Sequence, residues 1–87
     1  MHKDHSEYRK LCWRSRRGML ELDRLLVPFT EHAFLTLSTE DQARYQHLLT
    51  FEDTDLLDWL VNNIPSPDTE VNAIVPVILK YVRTHSL

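Results

Sequence analysis

Only one of the 87 residues is glycine, so Gly18 is the one position where the backbone enters the left-handed region without a side-chain penalty. It lies inside R-S-R-R-G-M-L-E-L-D-R-L-L, from Arg14 to Leu26. Arg14, Arg16 and Arg17 crowd what reads as the last turn of a helix, where cations suit the negative end of the dipole. Glu21 and Asp23 fall in the first turns of the next. A glycine both ends helices and is tolerated as an N-cap; with Gly18 as that cap, Glu21 takes the third helical position and reaches back to the cap N–H. The segment therefore predicts a tight corner between two helices. A corner, however, needs only the glycine and suitable charge. The pattern R-G-x-x-E adds a guanidinium at Arg17 and a carboxylate at Glu21, projecting on one side of a turn with no Cβ between them. That arrangement suits recognition of another macromolecule, so a structural corner and a docking site are both open readings.

A chain of this length supports a single domain with one modest core, here about residues 7–83. With one glycine, four prolines and 43% hydrophobic residues, it fits neither a disordered segment nor a loop-rich β fold. No run of about 18 apolar residues is present, so no membrane insertion is expected. The start, M-H-K-D-H-S-E, lacks both the apolar core of a signal peptide and an Arg-rich import leader. Together with a single cysteine, this leads us to expect a cytoplasmic bacterial protein.

The net charge of −3 conceals an asymmetry. Through Arg24 there are seven basic residues against four acids; the remainder has three basic residues and nine acids. A basic patch on an acidic body fits a charged protein partner. The acidic remainder would repel a phosphate backbone, so nucleic acid is not expected.

Read in order, Ser6 to about Arg16 forms a first helix, with Tyr8, Leu11 and Cys12 as its apolar stripe and Cys12 as a buried structural thiol. Trp13 is ambiguous between the core and a contact surface. Met19 to about Phe34 forms a second helical region with Leu22, Leu25, Leu26, Phe29 and Ala33 inward; Pro28 should kink or split it. Ser38 caps a third helix that turns Tyr45, Leu48 and Leu49 inward, with Arg44 and His47 outward. Asp53 or Thr54 caps a fourth helix, Asp55 to about Asn62, whose Leu56, Leu57, Leu60 and Val61 pack, followed by Ile64. Trp59 would need an N–H partner, with Asp55 or Asp58 as candidates. Ser66 then caps a last helix with Pro67 at its first position. The stripe from Val71 to Val82 predicts that this helix continues through a kink at Pro76, the alternative being that it stops near Val75. The fold class is all-α: a compact bundle of four to five short helices.

One glycine cannot build a phosphate-binding loop, so no cofactor of its own is expected. His2, His5, His32, His47 and His85 do not fall at metal-ligand spacing, and no nucleophile-and-base arrangement is present. An independent enzyme therefore has no residues to support it.

R-R-G-M-L-E-L-D-x-L-L, followed by Pro28-Phe29, resembles the small flavinylation factors of succinate dehydrogenase, some of whose bacterial members are labelled antitoxins. A second block, E-D-T-D-L-L-D-W-L from Glu52 to Leu60, is similar to the family's other signature, with Thr54 where many relatives carry proline. The resemblance implies a non-enzymatic assembly factor. It would bind the flavoprotein subunit of succinate dehydrogenase, with fumarate reductase as a further candidate, and promote covalent attachment of FAD held by that partner. Arg17, Gly18 and Glu21 carry over as the docking motif; Arg14, Arg16 and Asp23 join them from charge and proximity. We expect a monomer. The alternative class is a small helical regulator, an antitoxin or a DNA binder; the lack of a second basic helix for recognition counts against it.

Overall fold

The structure is a computed structural model that describes the backbone of residues 5–85 and the side chains of residues 8–85. Five helices follow one another: α1 (His5–Ser15), α2 (Leu20–His32), α3 (Thr39–Leu48), α4 (Asp53–Leu60) and α5 (Thr69–His85). A short 3₁₀ turn, Phe34–Thr36, lies between α2 and α3, and no strand occurs among the described residues. The all-α expectation holds.

The helix α2 is the central element, packing on α1, α4 and α5, while α3 lies along α5. Its buried Leu22, Leu26 and Phe29 meet Leu11 from α1, Tyr45 and Leu48 from α3, Leu56 and Leu60 from α4, and Val71, Ile74 and Ile78 from α5. Phe29 is fully buried, with its ring 5.2 Å from Tyr45 and 5.6 Å from Tyr81. Truncating a side chain so placed costs about 3–5 kcal/mol.

Both helices with an internal proline run unbroken. Pro28 does not split α2, and α5 continues through Pro76 to His85. In each case the carbonyl that loses its partner belongs to an exposed residue, Arg24 or Asn72. The α2 helix nonetheless ends at His32, short of Phe34, which enters the core from the 3₁₀ turn.

The caps divide. The Ser38 hydroxyl accepts the Asp41 N–H at 3.1 Å, as the sequence implies. The last helix is capped by Asp68 rather than Ser66: its Oδ1 accepts from the N–H groups of Glu70 (2.9 Å) and Val71 (3.1 Å). Ser66 instead supports the cap, its Oγ accepting the Asp68 N–H at 2.9 Å. The fourth helix begins at Asp53 behind Glu52, one or two residues before the expected cap. It also ends early, at Leu60, which leaves Val61 (40%) and Ile64 (48%) exposed instead of packed. Asn63, at φ 59°, makes the left-handed turn there. Trp59 is buried, and its ring packs edge-on against Phe51 at 5.0 Å. Neither Asp55 nor Asp58 accepts from its indole.

A polar knot joins α1, α2 and α3. Ser15, Thr30 and Tyr45 are buried, and their hydroxyls form a triangle with sides of 2.7, 3.0 and 2.6 Å. Ser15 also donates to the Leu11 carbonyl at 3.0 Å, so the buried oxygens satisfy one another. Burial pushes the Tyr45 hydroxyl pKa up, which keeps it a neutral donor.

Candidate functional site

The α1–α2 corner is built differently from its sequence expectation. The helix α1 stops at Ser15, and the Arg16 N–H turns back to the Trp13 carbonyl at 3.1 Å. Gly18 adopts φ +78°, the left-handed conformation that favours a glycine. A Cβ added there would meet no atom within 4 Å, so the constraint is the backbone angle and not crowding. Gly18 is not the N-cap of α2. Met19, in extended conformation, takes that place, and no side chain caps it. Glu21 accordingly falls at the second helical position and does not close a capping box. Asp23 ties the corner instead, its Oδ1 accepting the Arg17 backbone N–H at 2.7 Å.

Arg17 points inward. Its Nε donates to Asp53 Oδ1 at 2.7 Å and its Nη2 to the Phe51 carbonyl at 2.8 Å. Its Nη1 donates to the carbonyls of Leu49 (3.0 Å) and Arg14 (3.1 Å). The side chain is only 15% exposed. One planar guanidinium thus fastens the end of α1 to the α3–α4 loop and the first turn of α4. A lysine, with a single point of charge, could not reproduce that fork. Asp53 belongs to the Glu52–Leu60 block, so the two sequence signatures meet through this contact.

Six residues were expected to form a docking surface, and the structure divides them. Arg17 and Asp23 hold the corner together, and Gly18 supplies its backbone angle. Arg14, Arg16 and Glu21 are exposed. Among the described residues, no ion pair engages any of these three.

A second feature lies on the outer side of α1. Trp13 is 77% exposed. It borders a groove of about 170 Å³ between α1 and α2, with Arg9, Cys12 and Arg16 on one side and Val27, Thr30 and Glu31 on the other. Small-molecule sites usually hold roughly 300–1,000 Å³, so this groove fits a side chain and not a flavin dinucleotide. Cys12 is half-buried there, less enclosed than expected. Next to it, Tyr8 donates to the Thr30 carbonyl at 3.1 Å. Burial first, and the adjacent Cys12 thiol second, push the Tyr8 pKa up to about 12.

The histidines do not converge. His32 pairs with the Tyr81 hydroxyl at 3.1 Å and His47 with Asp68 at 2.7 Å, while His85 stacks on Tyr81. His2 lies outside the described residues, as does the His5 side chain. No group of three or more His, Cys, Asp or Glu side chains gathers at metal-binding distance among the described residues. None of the helices is long and apolar enough to cross a membrane.

A family model described as flavinator of succinate dehydrogenase matches residues 9–82. The chain is 47% identical over 74 residues to the FAD assembly factor SdhE of Colwellia psychrerythraea, covering 85% of this chain and 81% of that protein. It is 44% identical over 80 residues to the protein of the same name from Pseudomonas putida, covering 92% and 95%. A relative from Pectobacterium atrosepticum, also named FAD assembly factor SdhE, shares 38% over 69 residues.

Proposed function

The chain belongs to the family of succinate dehydrogenase flavinators, and from that premise we propose that it is a non-catalytic assembly factor acting in the cytoplasm. It binds the flavoprotein subunit of succinate dehydrogenase, with that of fumarate reductase as a second partner, and promotes covalent attachment of FAD to a histidine of that subunit. FAD stays with the partner, and the bond-making is the partner's chemistry.

One observation carries the reading. The corner is fastened from inside by Arg17 and Asp23, which leaves Glu21 exposed on a fixed backbone. A rigid, charged corner adds affinity because little freedom is lost on docking. Holding the partner's domains so that histidine and flavin meet supplies several kcal/mol, with no group of this chain entering the reaction.

The test mixes purified apo-flavoprotein, FAD and this protein, and follows the fluorescent covalent band on a denaturing gel. Wild type accelerates its appearance. Cys12→Ser changes the rate little. Loss of the reaction in Cys12→Ser, with fold and binding intact, would make the protein a catalyst and overturn the proposal.

A further inference from the structure

We propose that the outer face of α1 is a second docking surface, separate from the Gly18 corner, which takes an acidic segment of the flavoprotein bearing one apolar anchor side chain. The inference rests on the function proposed above. Trp13 is the most exposed large hydrophobic residue described, and its exposed indole has no internal role to explain it. Arg9 stands four residues before it on α1, Arg16 lies just past the helix end, and all three line one groove, so the indole is flanked by two guanidiniums. Tryptophan and arginine are the residue types most enriched where truncation costs a complex most.

The groove beside them has room for a single side chain, with Val27 and Thr30 contributed from α2. Charge selects the rest of the ligand. From Arg9 to Arg17 the chain carries no acid, and no ion pair among the described residues engages Arg9 or Arg16. Carboxylates on the incoming segment therefore pair along α1, while Glu31 on the α2 side disfavours them there. The same helix ends in the corner that carries the docking motif, so one partner can span both surfaces. Against nucleic acid stands the acidic remainder of the chain, with nine acids beyond Arg24 against three basic residues.

The experiment measures binding to purified apo-flavoprotein for wild type, Trp13→Ala, Trp13→Phe, Arg9→Glu and Glu21→Ala, alongside melting temperatures. Trp13→Ala should raise Kd at least about 10-fold, with Trp13→Phe between it and wild type. Arg9→Glu should slow association about 10-fold at low salt and flatten its salt dependence. Both sites are exposed, so melting temperatures should stay within a few degrees. Wild-type affinity in Trp13→Ala and Arg9→Glu, with Glu21→Ala still weakened, would overturn the second surface and leave the proposed function standing. If wild type itself fails to bind, both fall together. If Trp13→Ala instead abolishes self-association, or retention on duplex DNA or anionic vesicles, while flavoprotein binding is untouched, the surface serves another partner and the proposal is wrong.

Discussion

Arg16 and Arg17 are adjacent in the chain and face opposite environments. Arg17 turns inward, where Asp53 and three backbone carbonyls take up its guanidinium. Arg16 turns outward and lines the groove beside Trp13. The inner side of the corner is an assembly of satisfied polar contacts; the outer face of α1 is an indole among guanidiniums that form no ion pair among the described residues. The difference teaches that a short motif can combine two jobs. Arg17, Gly18 and Asp23 shape the corner, and Glu21, which we propose meets a partner, is exposed.

The contrast is broken most readily at Arg17. Arg17→Ala strands Asp53 and the Leu49 and Phe51 carbonyls in part-buried positions, a loss of about 2–3 kcal/mol. At roughly 4–8 °C per kcal/mol for a domain of this size, thermal denaturation should show a fall of about 10–20 °C. Arg17→Lys should fare little better. If Arg17→Ala keeps its melting temperature and loses only binding, the inward contacts carry no stability and the division proposed here fails.

Gly18 comes next. Because space around a new Cβ is open, Gly18→Ala and Gly18→Arg should cost similar amounts, about 1–2 kcal/mol, through the +78° backbone angle alone. Gly18→Asn should cost less, since asparagine tolerates that region. Denaturant midpoints for the three variants check this. An arginine far worse than alanine would reveal crowding that the corner does not show.

Away from both regions, the α5 cap gives a smaller, pH-dependent effect. Hydrogen bonding to His47, then to the Val71 N–H, holds the Asp68 carboxyl below its ordinary pKa of 3.8. A lowered folded-state pKa stabilises the fold above the unfolded value and loses that contribution as pH falls through the folded one. Thermal stability should therefore drop below about pH 3.8, and Asp68→Asn, which still accepts at the cap, should flatten part of that drop. A wild-type-like acid limb in Asp68→Asn would place the titration elsewhere.

Much of this was legible from sequence because it depends on local periodicity. The stripes of α2 and α5, the Ser38 cap and the continuation through Pro76 follow from residues within one or two turns of each other. The Asp68 cap is not legible from sequence because Ser66-Pro67-Asp68 offers two acceptors two residues apart, and only the loop geometry selects between them. The corner was located but misread in detail. Asp23, not Glu21, reaches back across it, because Gly18's left-handed turn shifts the helix start to Leu20. The inward course of Arg17 has no local signal, since three of its four side-chain partners lie 32 to 36 residues away. The same holds for Ser15, a polar residue whose burial depends on Thr30 and Tyr45. The apolar stripe of α1 passes beside Trp13 and does not decide its side; the packing of α1 on α2 leaves it exposed.

The smallest stability effect tests the central division most directly. Glu21 is exposed and makes no hydrogen bond among the described contacts, so Glu21→Ala should melt within a few degrees of wild type. In the reconstituted flavinylation assay the same variant should slow the covalent band by about 10-fold or more, and raising its concentration should partly restore the rate. A Glu21→Ala protein that unfolds, or one that flavinylates at the wild-type rate, would contradict the account.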